Sequence, residues 1–158
     1  MEVISFFQWL DQSALAEFSK TYGGVFAIVQ VVHILAMVLL GGMIITGDLR
    51  LLGIIMRDIP SKIVLDNTHK WLRPALIVAI ATGSYMTSAI AMKTYHSDFF
   101  WAKMYWLLTG LVFVYLIRKP LFKFDHASIK PWIPKLMAVA SIVIWFNVAG
   151  AGRWIGFS

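Results

Sequence analysis

Four long apolar runs separated by polar segments dominate the chain. Crossing hydrocarbon as a helix takes ~20 mostly apolar residues, and the runs at residues 22–46, 72–92, 99–117 and 132–155 are each about that long. Short connections between the second, third and fourth runs make those neighbours antiparallel. The pattern predicts an all-α fold, an integral membrane up-down four-helix bundle that forms a single transmembrane domain over residues 1–158.

Two further segments are amphipathic rather than continuously apolar. Residues 3–18 alternate large apolar side chains such as Phe6 and Trp9 with the acids Asp11 and Glu17. This predicts an N-terminal interfacial amphipathic helix. Residues 49–70 are also amphipathic and are interrupted by Pro60, so we expect them to lie along the membrane surface before the chain re-enters.

Composition supports the membrane assignment and excludes several cofactors. The chain is 59% hydrophobic and 14% charged, which favours lipid over water as its main solvent. It has no cysteine, so disulfides, iron–sulfur clusters, thiolate zinc sites and covalently attached haem are excluded. The net charge of +6 does not predict a nucleic-acid partner, because the basic residues flank apolar runs instead of forming a stripe.

The basic residues predict an orientation, because Lys and Arg are enriched in cytoplasmic loops. With the N-terminus outside, only four basic residues lie on the outer side: Lys20, Lys93, Lys103 and Arg153. The cytoplasmic side then holds ten: Arg50, Arg57, Lys62, Lys70, Arg73, Arg118, Lys119, Lys123, Lys130 and Lys135. We therefore expect a multi-pass protein of a bacterial cytoplasmic membrane with both termini outside.

An ionisable side chain at membrane depth is a functional candidate because its burial is costly. The four predicted spans contain no Asp or Glu, which counts against an ion-coupled pump. They do contain His33, which lies ~16 Å below the outer boundary by helical rise, with Gln30 and Met37 on the same face. One interpretation is a histidine bonded to a Ser, Thr or Asn across a helix interface. The other is a metal or haem ligand, because neutral imidazole is the commonest metal ligand in proteins.

The remaining histidines lie near the predicted membrane faces. His96 falls in the outer turn, and His69 and His126 fall on the cytoplasmic side. We predict His33 and His69 as candidate metal ligands. Straight helices would separate them by ~15 Å or more along the membrane normal. One haem shared by both therefore needs a tilted or deeply inserted second helix, and Lys103 or Met86 are alternative partners for His33.

Four cations near span ends are candidates for holding an anionic group. Lys103 and Arg153 stand near the outer ends of the third and fourth spans, and Arg50 and Arg73 stand on the cytoplasmic side. Guanidinium binds carboxylates such as haem propionates bidentately. The alternative for Lys103 and Arg153 is a side chain that only anchors the helix end in the interface.

Three segments resemble known families: HILAMVLLGGMIITGDLRLLG, TGSYMTSAIAMKTYHSDFFWAK and WFNVAGAGRWIGF. Together they resemble an uncharacterised family of small bacterial four-helix membrane proteins, from Phe6 onward. More distantly, the first-span histidine, glycine pair and arginine, with F-x-x-K opening the third span, resemble the membrane-bound haem-containing protoporphyrinogen oxidases and the copper-resistance-D membrane proteins. The resemblance marks His33, Arg50, Lys103 and Arg153, and it implies a b-type haem or a metal.

The sequence thus predicts a small membrane cytochrome that binds one or two haem b groups and passes electrons between a membrane donor and a redox partner or larger membrane complex. The alternatives are a haem-dependent membrane oxidoreductase of the porphyrinogen oxidase type, a copper-handling membrane protein that uses His33 and Met37, and a structural anchor subunit. Whether the chain forms a homo-oligomer stays open.

Overall fold

The computed structural model describes residues 2–118 and 130–157, and its regular secondary structure is helical throughout. The connection between the third and fourth predicted spans, with His126, lies outside the described residues. The α-helices in chain order are α1 (Glu2–Asp11), α2 (Ala14–Thr21), α3 (Gly23–Leu52), α4 (Ser61–Ala89), α5 (Ala91–Tyr95), α6 (Asp98–Val112) and α7 (Trp132–Trp154). A π-helical turn, Phe113–Arg118, extends α6, and a 3₁₀ turn, Ile155–Phe157, extends α7.

Three helical segments are long and apolar enough to cross a membrane: Gly23–Leu52, Asp98–Arg118 and Trp132–Phe157. They confirm the first, third and fourth predicted runs as membrane-capable helices. The 30 residues of α3 rise ~45 Å, more than the ~30 Å of a bilayer's hydrocarbon core. The helix therefore continues beyond the apolar run from which it was predicted.

The second predicted run has different boundaries from those expected. Instead of a surface segment up to residue 70, α4 begins at Ser61 and continues through Pro74. The reason is a buried stripe at helical spacing from Val64 to Ala79, in a helix that packs on α3. Its members are Val64, Leu65, Thr68, Leu72, Ala75 and Ala79. After α4 ends at Ala89, the short helix α5 carries the rest of the predicted run.

Helices α3 and α4 pack against each other in antiparallel fashion. Near the start of α3, His33 lies against Thr82 and Gly83 of α4, whereas near its end Gly47 lies against Leu65 and Thr68. Helix α7 packs on both α6 and α3, which closes the bundle. The core joins residues of α3, α4, α7 and the π-helical turn: Leu40, Ile44, Leu72, Ala75, Val114, Trp145 and Val148.

The N-terminal segment forms two helices rather than the single interfacial helix expected. Ser13 divides them, since its hydroxyl accepts a hydrogen bond from the Ala16 amide and caps α2. The Phe7 side chain is buried, with its ring next to those of Tyr95, Phe100 and Trp101. Helix α1 therefore closes over the end of the bundle where α4 finishes.

Large apolar side chains cover the outward faces of all four long helices. On α4, Ile77 is 67% exposed and Ile80 is 50% exposed, and Phe146 on α7 is 77% exposed. Contiguous apolar surface of this kind is typical of contact with lipid or another apolar partner. The bundle thus presents lipid-compatible surfaces on α4 as well as on the three most apolar helices.

Candidate cofactor site

His33 lies inside the bundle, where α3 meets α4. The side chain is half-buried, and its Nδ1 lies 2.8 Å from the Thr82 hydroxyl oxygen. Gly83 leaves room for the ring, because a Cβ at that position would stand 3.2 Å from His33 Cε1. Thr82 and Gly83 thus hold the imidazole in one orientation.

The Thr82 hydroxyl favours a proton on Nδ1 of the His33 ring. Its oxygen lies 2.6 Å from the carbonyl oxygen of Val78, and two oxygens at that separation need a hydrogen between them. A hydroxyl has a single hydrogen to donate, so Thr82 donates to Val78 and accepts from His33. This arrangement suits the tautomer in which Nδ1 carries the proton and Nε2 keeps its lone pair. This is the tautomer of a histidine that ligates iron through Nε2 while its other nitrogen is held.

Lys103 of α6 lies within electrostatic range of His33. Its aliphatic stem packs on Gly152 of α7, where a Cβ would stand 3.4 Å from Lys103 Cε and 3.5 Å from Nζ. Within residues 2–118 and 130–157, no hydrogen-bond acceptor or carboxylate contacts this ammonium group. Lys103 is thus a cation without a counter-ion among the described residues, and its role toward His33 stays a prediction.

Arg153 and Arg50, two of the other three predicted clamps, lie elsewhere. Arg153 is exposed, and its guanidinium carbon stands 4.6 Å from the centre of the Phe157 ring. Arg50 donates hydrogen bonds to the carbonyl oxygens of Ile59 and Arg57. That contact fastens the connection between α3 and α4, so neither arginine lies at the His33 site in this structure.

His69 does not converge with His33. It lies on α4 thirteen residues before Thr82, the residue that contacts His33, a separation of ~20 Å by helical rise. His69 Nδ1 lies 2.7 Å from the Leu65 carbonyl oxygen, one turn earlier on its own helix. With Asp66, Lys70 and Arg73, His69 lines a separate open pocket of about 380 Å³. A single haem ligated by both histidines does not fit this arrangement.

A buried ion pair is the main feature that the sequence interpretation missed. Arg118 Nη1 lies 2.7 Å from Asp48 Oδ1 and 3.5 Å from Ser141 Oγ. The Asp48 side chain is fully buried, and that of Arg118 is 3% exposed. Spacing provided a signal, since Asp48 falls between Leu40, Ile44 and Leu51 on the buried face of α3.

Across the described ranges, no three His, Asp or Glu side chains come together as a metal site would require. A haem requires only one or two ligands from the protein, because its porphyrin nitrogens supply four of the iron ligands.

Comparison with known proteins gives a family without an assigned activity. Residues 6–158 match a family of unknown function (DUF6644), in agreement with the resemblance that begins at Phe6. No curated protein and no solved structure matches the chain. The more distant resemblances to haem-containing oxidases and copper-resistance proteins stay predictions. The chain belongs to the family of unknown function DUF6644.

Proposed function

We propose that the protein is a small membrane cytochrome that binds one haem b through Nε2 of His33 and passes electrons between a membrane donor and a redox partner. The observation that carries this proposal is the hydrogen bond from His33 Nδ1 to Thr82. A proton on Nδ1 would leave Nε2 available to ligate iron, whereas the same contact without haem would make His33 a residue that only bridges α3 and α4.

In this proposal His33 is one axial ligand of the haem iron, and a neighbouring cation binds one haem propionate. Gly83 lies against the imidazole without a side chain of its own, and Lys103 offers an ammonium group to a haem propionate. Met86, one turn after Thr82 and Gly83 on α4, is the candidate for a second axial ligand. Bound haem would supply reversible one-electron chemistry. The chain would contribute the ligand, its orientation and a surrounding of low polarity.

The proposal includes α4 as a fourth membrane span, with both termini outside a bacterial cytoplasmic membrane. Helix α4 is 29 residues long and pairs with α3 from Leu65 to Gly83. A partner packed along a spanning helix for that length must share its depth. The exposed side chains of Ile77 and Ile80 would then face lipid. An even number of spans returns the chain to the side on which it started.

The test is chemical rescue of a variant that lacks the ligand. We expect His33→Gly, produced with ample haem, to insert in the membrane but to lose the Soret absorption of the wild type. Added imidazole should restore the band, because the small base occupies the space of the missing side chain and supplies the same nitrogen. His96→Ala is the matched control, since His96 is exposed and bonds only its own helix through Met92.

Two results would contradict the proposal. A wild-type protein that stays colourless after production and reconstitution with haem would remove the cytochrome assignment. A haem spectrum that is unchanged in His33→Gly would keep the cytochrome but remove His33 as its ligand. Binding of copper without haem would favour the copper-handling alternative.

A further inference from the structure

The pocket near the beginning of α4 is separate from the His33 site and has a different character. Asp66, His69, Lys70 and Arg73 line it, at positions three or four residues apart that share one face of the helix. Lys70 and Arg73 are exposed, and they form no ion pair or hydrogen bond within the part of the chain that the structure describes. The pocket therefore presents two free cations and one carboxylate to a ligand.

The level of the pocket along the bundle indicates what can reach it. Leu65 and Thr68, on the same turns of α4, lie against Gly47 near the C-terminal end of the membrane-capable helix α3. Next to the pocket, Trp71 is 60% exposed, and indole side chains prefer the interface between headgroups and acyl chains. Most of the exposed large apolar side chains of α4 come later, at Ile77, Val78 and Ile80. The pocket thus lies where lipid phosphates lie.

The charges of the pocket favour an anionic group that carries oxygen acceptors. Arg73 can bind two phosphate oxygens at once through its planar guanidinium, and Lys70 adds a point charge. Asp66 discourages a ligand with many negative charges and can accept hydrogen bonds from headgroup hydroxyls. A phosphodiester with one negative charge and a hydroxylated headgroup matches this set.

We propose that this pocket binds the phosphate group of an anionic phospholipid. It is an open pocket of about 380 Å³, which suits a headgroup whose acyl chains stay in the bilayer along α4. The four lining residues all belong to α4, and basic side chains at the cytoplasmic end of a membrane helix attract anionic headgroups. The proposal does not depend on haem at His33, which lies ~20 Å away along α4.

The test compares two double variants of the purified, delipidated full chain. Lys70→Gln with Arg73→Gln removes both cations from the pocket. Lys62→Gln with Lys135→Gln removes the same charge from exposed positions outside it. Each protein is titrated with phosphatidylglycerol, phosphatidylcholine and inorganic phosphate, and bound lipid is counted by native mass spectrometry.

We expect the wild type and the control to retain phosphatidylglycerol in preference to phosphatidylcholine. The pocket variant should bind phosphatidylglycerol about thirtyfold more weakly, as expected for two interfacial cations. Equal retention by both double variants, or no preference for the anionic lipid, would overturn the proposal. Displacement of the lipid by millimolar inorganic phosphate would assign the pocket to free phosphate and overturn the lipid assignment. A Soret band that persists in the pocket variant separates these outcomes from the haem proposal.

Discussion

Removing one partner of the buried ion pair should strongly destabilise the bundle, even when the substitution changes very few atoms. In Asp48→Asn the guanidinium of Arg118 stays buried without a counter-charge, and arginine cannot shed its proton inside a protein. Breaking a buried pair in this way costs about 3–5 kcal/mol of unfolding free energy. Arg118→Met should cost less, because a carboxyl left alone can bind a proton and become neutral.

Replacing both partners should recover most of the loss. Asp48→Leu combined with Arg118→Met leaves no buried charge, and apolar replacements of buried pairs are commonly neutral or stabilising. We therefore expect the double variant to lie within about 1 kcal/mol of the wild type. The non-additivity between the single and double variants is the signature of the pair.

Reversible unfolding by sodium dodecyl sulfate in mixed micelles, followed by tryptophan fluorescence, measures these differences. The exposed pair between Asp11 and Lys20, whose atoms are 3.0 Å apart, provides the control. Asp11→Asn should change the unfolding free energy by less than about 1 kcal/mol. If Asp48→Asn proves no more destabilising than Asp11→Asn, the burial of the pair has been misjudged.

Three further predictions follow from single contacts. Gly47→Ala should destabilise the fold, because the added Cβ would stand 2.6 Å from the Arg118 guanidinium of the buried pair. In the control Gly41→Ala the Cβ has nothing within 4 Å, so the change should be neutral or stabilising by up to about 1 kcal/mol. Similar unfolding curves for the two variants would refute this. Thr82→Val should weaken haem binding about 10- to 100-fold by removing the partner of the ligand's second nitrogen, as measured by haem titration, and unchanged affinity would count against it. In this cysteine-free chain, Lys93→Cys should react with an impermeant maleimide in intact cells and Lys62→Cys only after permeabilisation; labelling of both from one side would show that α4 does not cross.

Hydropathy was sufficient to predict which segments form apolar helices, but it did not predict where those helices begin and end. A charged residue terminates an apolar run, so the first and third predicted spans stop at residues 46 and 117, just before Asp48 and Arg118. Those two residues are buried because each neutralises the other across the bundle, which no single segment can reveal. The start of α4 at Ser61 was not predicted for a related reason: its buried apolar positions alternate with charged residues that face outward.

The candidate site was partly predictable. His33 stood out because an imidazole within a long apolar run is rare, and Lys103 was already a candidate at the end of its span. Their proximity and the role of Thr82 depend on how α3, α4 and α6 pack, which the sequence of one chain does not contain. The weaker assignments were Arg50 and Arg153, because residue type alone does not distinguish an anion clamp from a side chain that binds carbonyl groups or covers a ring.

The number of haem groups per chain, measured as pyridine haemochrome against protein mass, tests the central claim most directly. The wild type should hold one haem, His33→Leu almost none, and His69→Ala still one, because the two histidines are too far apart to share a ligand role. Two haems per wild-type chain, or a loss of haem in His69→Ala equal to that in His33→Leu, would contradict the account.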